Sequence, residues 1–247
     1  MNIAILLSGG TGTRFGSDIP KQYILINCKM VISYSLDVLI RHKDIDGIII
    51  VAEEYYRGVI DNLFNENPKE NFKENIIENI IENKFLGYVN PGVNRQMSIY
   101  NALVYINENY PDTKNVLIHD AARPYLTDEM VSSYFEMLTL DYDGVMPVLP
   151  MKDTVYYSED GSSISSLLER ERIYQGQAPE IFDFKRYLMA NEALMPDKIL
   201  KISGSTQPAI MAKLRIRMVK GDENNIKITT KDDLEKVELC LHRNWKI

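Results

Sequence analysis

The chain has 247 residues, 45% of them hydrophobic, and a formal charge of −7. That length builds one large α/β domain or two small ones around a sizeable core. The acidic balance argues against a non-specific nucleic-acid binder, which carries a basic excess, so any polyanionic ligand must be met by locally concentrated cations. The two cysteines, Cys28 and Cys240, are too far apart for a metal knuckle or a CxxC pair, and plain apolar roles in a reducing compartment are expected.

The first element is an apolar run, Ile3–Leu7, that ends at Ser8-Gly9-Gly10. It has no basic leader and is too short for a signal core or a membrane span. No other stretch reaches membrane length, so a cytoplasmic protein with no membrane partner is expected. The run leads into Ser8-Gly9-Gly10-Thr11-Gly12-Thr13-Arg14-Phe15-Gly16 and then Pro20-Lys21-Gln22. Glycines let a backbone approach a phosphate and turn N–H groups toward it. The spacing Gly10, Gly12, Gly16 is not the GxGxxG of dinucleotide loops, and no Gly-Lys-Ser/Thr of a P-loop follows. A glycine loop flanked by two cations, Arg14 and Lys21, remains.

Beyond it, Gly47–Ala52, Phe85–Val89, Asn115–His119 and Gly144–Val148 are short, branched and bounded by turn residues, as buried strands are. Helical patterns lie between them at Val31–His42, Glu54–Phe64, Arg95–Asn109 and Asp128–Leu140. This alternation predicts a doubly wound, mostly parallel sheet covered on both faces, with chemistry at the carboxyl ends of its strands. The segment 65–84, rich in Asn, Glu, Lys and Ile, is expected to be a solvated excursion with a helix at Glu74–Glu82. Gly92-Val93-Asn94-Arg95-Gln96-Met97-Ser98 opens a helix after the third strand. Asp120 ends the fourth, where a carboxylate is well placed to hold Mg²⁺ on substrate phosphates. His119 is expected to orient the strand end.

The alternation breaks at Pro150–Gln175. Asp153–Tyr157, a turn at Glu159-Asp160-Gly161-Ser162 and a returning strand predict an antiparallel β-arm. An arm without its own core packs on a partner, so a homodimer is expected. Helices at Ile181–Glu192 and Thr230–His242 and a strand at Arg215–Val219 complete the reading. No linker splits the chain, so residues 1–247 are taken as a single domain with a dimerisation arm at about 150–175.

Four blocks occur in order: Gly9-Gly10-Thr11-Gly12-Thr13-Arg14 with Pro20-Lys21-Gln22, His119-Asp120-Ala121-Ala122-Arg123-Pro124, Tyr174-Gln175-Gly176-Gln177-Ala178-Pro179, and Asn225-Ile226-Lys227-Ile228-Thr229-Thr230. Together they resemble the cytidylyltransferases that make CDP-methylerythritol or CDP-ribitol, over nearly the whole chain. The resemblance implies a Rossmann-like nucleotidyltransferase fold, CTP and a polyol phosphate as substrates, and Mg²⁺ as cofactor on Asp120. It implies Arg14, Lys21 and Lys227 as the catalytic cations, because nucleotidyl transfer relies on positioning and charge neutralisation. Ser8, Gly9, Gly10, Thr11, Gly12, Thr13, Gly92, Arg95 and Ser98 are implied as nucleotide contacts, with Ser98 reading the base. Arg170, Asp120, Thr154 and Lys227 are implied as acceptor contacts, with Arg170 reaching across a dimer and Arg172 a nearby competitor.

Some positions depart from the family pattern. Val93-Asn94 stand where relatives carry Asp. Asn224 stands where the methylerythritol branch has a second acidic residue, with Asp222 two positions away. Ser203-Gly204-Ser205-Thr206 replaces a Thr-Asp pair in the polyol pocket. Asn224 and the Tyr174–Gln177 block favour D-ribitol 5-phosphate as acceptor, in teichoic-acid or capsule synthesis. 2-C-methyl-D-erythritol 4-phosphate, in isoprenoid synthesis, is the second choice. A non-catalytic nucleotide-binding relative and an NAD-dependent oxidoreductase stand as rivals.

Overall fold

The computed structural model describes residues 1–10, 12, 15, 16, 19–65 and 83–244, with backbone only at 65 and 242–244. The candidate nucleotide or catalytic residues Thr11, Thr13 and Arg14, and the expected helix at Glu74–Glu82, lie outside the described residues.

Residues of β1 (Asn2–Leu7) alternate between two cores. Ala4 and Leu6 face one apolar cluster, and Ile3 and Ile5 face the other. The same split occurs in β4 (Gly47–Val51), with Ile48 and Ile50 on one face and Ile49 and Val51 on the opposite one. Successive side chains of a strand point to opposite faces, so a strand apolar at every position must be covered on both. The helices do this. Residues of α1 (Val31–Arg41) and α2 (Glu54–Asn65) join the first cluster through Ile32, Leu36, Leu39 and Ile60. Ile99, Leu103 and Ile106 of α3 (Arg95–Asn109) join the second. Each fully buried side chain of this size contributes about 1.5–3 kcal/mol relative to exposure.

In the main sheet β1 pairs in parallel with β4 and with β6 (Asn115–Asp120), and β4 with β5 (Phe85–Val89). On the other side of β6 runs β11 (Glu180–Asp183), antiparallel to both β6 and β7 (Gly144–Pro150). Next to β7 lie β10 (Tyr174–Gly176), antiparallel, and β12 (Ile216–Lys220), parallel. The fold is thus a doubly wound, mostly parallel α/β sheet, as expected. α4 (Asp128–Met137) starts on Thr127, whose hydroxyl accepts from the Met130 N–H, and ends three residues before the expected Leu140.

One element differs in kind. The expected helix at Ile181–Glu192 is the strand β11 followed by α5 (Phe184–Glu192). Asp183 divides them, since its carboxylate accepts from the Arg186 N–H at 3.0 Å as an N-cap. This puts Glu180 and Ile181 in the sheet beside β6.

Beyond the short α6 (Gln207–Met211), a third cluster joins α7 (Lys231–Asn244) through Val237 and Leu241 to Ile228, Tyr34, Phe15 and Ile26. Ile26 belongs to the small hairpin of β2 (Leu25–Ile26) and β3 (Lys29–Met30). The arm pairs β8 (Tyr156–Tyr157) antiparallel to β9 (Ser166–Leu167). Its tip is an Asx turn in which Asp160 accepts from the N–H groups of Ser162 and Ser163. Among the described residues no helix is long and apolar enough to cross a membrane.

Candidate active site

The carboxyl ends of β1, β4 and β6 open into a cavity of about 420 Å³, where an open α/β sheet binds its ligands. Its described lining carries the cations Lys21, Arg95 and Lys227 against the carboxylates Glu53 and Asp120. The local charge is therefore positive in a chain whose total is −7, as an anionic ligand requires.

Asp120 is the centre of this charge. It ends β6, is 8% exposed, and faces three cations, two from distant parts of the chain and one three residues on. Arg95 Nε donates to Oδ1 at 2.9 Å, Lys227 Nζ donates to Oδ2 at 2.8 Å, and Arg123 Nε lies 4.0 Å from Oδ2. Burial alone would raise its pKa, but Arg95, Lys227 and Arg123 outweigh burial and hold the carboxyl well below the usual carboxylate range. Asp120 is therefore an anion at any working pH. Its neighbour His119 turns away from the cavity, fully buried, with Nε2 at 3.0 Å from the Arg123 carbonyl. Burial pushes His119 down to about 4, so the ring is neutral and braces the turn, as its expected orienting role requires.

The glycine loop is fixed from below by a residue not expected to serve the site. Gln22 Nε2 donates to the carbonyls of Ser8 at 2.6 Å and Gly10 at 2.8 Å. Gly9 and Gly10 line the cavity, but Ser8 does not. Its hydroxyl donates to Tyr23 Oη at 2.8 Å, so Ser8 supports the loop rather than facing a nucleotide. A Cβ at Gly9 would lie 2.5 Å from Pro91 Cβ. The first loop can therefore pack on the segment at Pro91-Gly92 only with glycine there. That second segment is braced too. The Gly92 N–H donates to Ser98 Oγ at 3.0 Å, and Ser98 Oγ donates to the Asn94 carbonyl at 3.0 Å. Ser98 lines the cavity while holding this loop. Asn94, one of the departures from the family pattern, is the N-cap of α3 and accepts from the Met97 N–H at 2.7 Å.

Lys227 reaches the cavity from the far end of the chain. The Ile228 N–H donates to the Ala122 carbonyl at 2.9 Å, and Arg123 donates to the Asn225 carbonyl, so this segment is stitched to the turn after β6. Asp222 and Asn224 do not line the cavity. Asp222 Oδ1 accepts from the Asn224 N–H at 2.8 Å, which ties the departure at 224 into a turn instead of a metal site. Thr154 and Arg170 lie exposed on the arm, outside the cavity of their own chain. The Arg170 guanidinium donates to the Lys152 carbonyl at 3.0 Å.

Asp120 and Lys227 are thus brought together as expected, and Lys21, Gly9, Gly10, Gly12, Gly92, Arg95 and Ser98 line the same cavity. The sequence reading missed Arg123, Gln22 and Glu180. Glu180, at the start of β11, is 5% exposed and lies 3.9 Å from Arg95 Nη2.

Residues 2–243 match the model of a family described as IspD, 2-C-methyl-D-erythritol 4-phosphate cytidylyltransferase. A protein of that name from Thermotoga neapolitana is 30% identical over 249 residues, covering 100% of this chain and 99% of its own. A bifunctional enzyme IspD/IspF from Wolbachia pipientis is 30% identical over 96% of this chain, which spans 54% of that relative's length. The 4-diphosphocytidyl-2C-methyl-D-erythritol synthase structure from Anaerococcus prevotii shares the fold, with a TM-score of 0.79 at 24% identity over 98% of this chain and 96% of its own.

Proposed function

Because the chain belongs to the 2-C-methyl-D-erythritol 4-phosphate cytidylyltransferase family, we propose that it joins CTP to 2-C-methyl-D-erythritol 4-phosphate and releases pyrophosphate. Ribitol 5-phosphate, the first-choice acceptor on sequence, is set aside along with teichoic-acid and capsule synthesis. The matched family and the relatives above carry the methylerythritol name. The departures at Asn224 and at Ser203–Thr206 lie in a turn and around Glu180, and neither argues for ribitol.

The observation that carries the reading is Asp120, paired with Lys227 and Arg95, in a cavity that Lys21 and the glycine loop also line. In this reaction an oxygen of the acceptor phosphate attacks the α-phosphorus of CTP. The bond to the bridging oxygen breaks, and pyrophosphate leaves with the electron pair. The attacking phosphate is already anionic, so no protein base has to take a proton. Lys21 and Lys227 spread the charge that builds on the α-phosphate and bring two anions into one cavity, with Arg14 from the glycine loop in the same role. Gly9 and Gly10 admit the triphosphate close to the backbone, and the braced Gly92–Ser98 loop presents hydrogen-bonding groups to the base.

Asp120 fits Mg²⁺. It is a permanently ionised carboxylate at the cavity wall, and each of its oxygens keeps a lone pair beyond those used by Arg95 and Lys227. Among the described residues no cluster of three His, Cys, Asp or Glu forms a closed metal cage. That suits a cation that keeps its waters and is shared with substrate phosphates. When bound, Mg²⁺ supplies neutralisation of triphosphate charge.

The same reading makes the protein a homodimer. The arm exposes Tyr156, Tyr157, Ile164 and Leu167, a surface that a second copy would cover, and it would place Arg170 over the partner's cavity. Pyrophosphate release with CTP, MgCl₂ and either acceptor tests the proposal. Turnover with methylerythritol phosphate well above that with ribitol phosphate is expected. Preference for ribitol phosphate, or turnover with neither, overturns it.

A further inference from the structure

We propose that Glu180 is a positioning residue whose buried charge aligns the Arg95 guanidinium on Asp120. The inference deepens the cytidylyltransfer reading of this same cavity and rests on it.

Glu180 opens β11, the antiparallel strand wedged between β6 and β7, and does not line the cavity. Burial raises the pKa of this carboxyl, which is 5% exposed, while Arg95 and the Ser205 hydrogen bond pull it down. A carboxylate there carries a large desolvation penalty unless cations and donors surround it. Three groups do so. Arg95 Nη2 lies 3.9 Å from Oε2, and the Ser205 hydroxyl donates to the carboxylate, with Thr206 Oγ1 at 3.5 Å. Arg95 therefore spans two anions, giving Nε to Asp120 and facing Glu180 with Nη2. A planar guanidinium held at two points has its direction fixed, whereas one held at a single point can swing.

The support for Glu180 is itself fixed. The Tyr187 hydroxyl donates to the Ser205 carbonyl at 2.7 Å. Tyr187 is fully buried and stacked on Phe182 of β11, with ring centroids 4.1 Å apart. Gln96, next to Arg95, donates to Tyr187 Oη at 3.1 Å and to Asn191 Oδ1 at 2.6 Å. A continuous polar chain thus runs from α5 through Tyr187, Ser205, Glu180 and Arg95 to Asp120. Its last link is the carboxylate that Lys227 also grips. A network with every member satisfied rigidifies what it ends on.

The test separates charge from shape. E180Q keeps the side-chain length and an acceptor for Ser205 but removes the charge. E180D keeps the charge and shortens the reach. Initial rates are measured with CTP and whichever acceptor the wild type turns over best, together with thermal melts and separate kcat and KM values. If Glu180 positions Arg95, E180Q lowers kcat about tenfold with KM for CTP changed less than about threefold, and E180D retains more activity than E180Q. A purely space-filling or hydrogen-bonding role gives the reverse order, with E180Q near wild type, and overturns the proposal. Should E180Q not fold, S205A decides. Loss of the hydroxyl that steadies Glu180 is expected to lower kcat several-fold, and unchanged kcat overturns the assignment. Failure of the wild type on methylerythritol phosphate bears on the acceptor alone, because the Glu180 assignment is read from variant-to-wild-type ratios.

Discussion

The Asp120 basin and the arm around residues 150–175 are both rich in charge, and they treat it in opposite ways. In the basin the charges come from positions 95, 120, 123, 180 and 227, are largely withdrawn from water, and hold one another at 2.8–4.0 Å. On the arm Arg170 pairs with Glu171, Arg172 with Glu169, and Lys152 with Glu223, all on the surface. Exposed pairs of that kind contribute about 0–1 kcal/mol, and two-residue strands do not hold themselves together in water. The basin is therefore built from one chain. The arm, with four large apolar side chains each at least 50% exposed, offers the surface that the proposed partner would cover.

The sharpest way to break this comparison is to remove charge at one centre and then at the other. D120N keeps shape but leaves Arg95 and Lys227 facing a neutral amide, and kcat/KM is expected to fall by about 10³-fold. E223A, which breaks the exposed Lys152–Glu223 pair, should lower the unfolding free energy from urea titration by no more than about 0.5 kcal/mol and leave kcat/KM within about twofold of wild type. A comparable loss of kcat/KM from the two substitutions would erase the distinction between basin and arm.

The arm's claim to a partner is tested by mixing two dead proteins. R170A, expected to lose about 10²-fold in kcat/KM through a missing charged hydrogen bond to the acceptor, is unfolded and refolded with D120N. If Arg170 serves the partner's cavity, each mixed dimer has one intact site, and the mixture regains about one quarter of wild-type specific activity for random pairing. If Arg170 serves its own chain, every site stays defective and no activity returns.

Much of this was legible from residue order alone. β5 and α3 have the expected limits, because branched runs and 3.6-residue periodicity report burial directly. In sequence, β11 reads as part of the helix after it, because Ile181 and Phe182 fit a helical stripe as well as a strand. The signal that separates them is Asp183, an N-cap residue. A helical reading hides Glu180. Once its segment is a strand beside β6, a carboxylate leading an apolar run demands a buried cation. Lys21, Asp120 and Lys227 stood out because their motifs carry chemistry. The pairing of Arg95 with Asp120, 25 positions apart, and of Lys227 with Asp120, 107 positions apart, is a product of topology that spacing cannot reveal.

A small effect, on stability alone, is expected where the basin is anchored to α7. Thr230 and Asp233 form a capping box. The Asp233 N–H donates to Thr230 Oγ1 at 3.2 Å, while Asp233 Oδ2 accepts from the N–H groups of Thr229 and Thr230 at 2.9 Å. D233A should cost about 1 kcal/mol. Burial would raise the Asp233 pKa, but the hydrogen bonds from Thr229 and Thr230 prevail and hold it at about 2. An unfolded aspartate titrates near 3.9, so this contribution is complete above about pH 4 and disappears as pH falls through about 2. Urea midpoints of wild type and D233A should therefore differ at pH 6 and converge toward pH 2. A gap that stays constant down to pH 2 would show that the carboxylate's charge has no part in the cap, and that the polar anchoring which steadies Lys227 begins elsewhere than at this box.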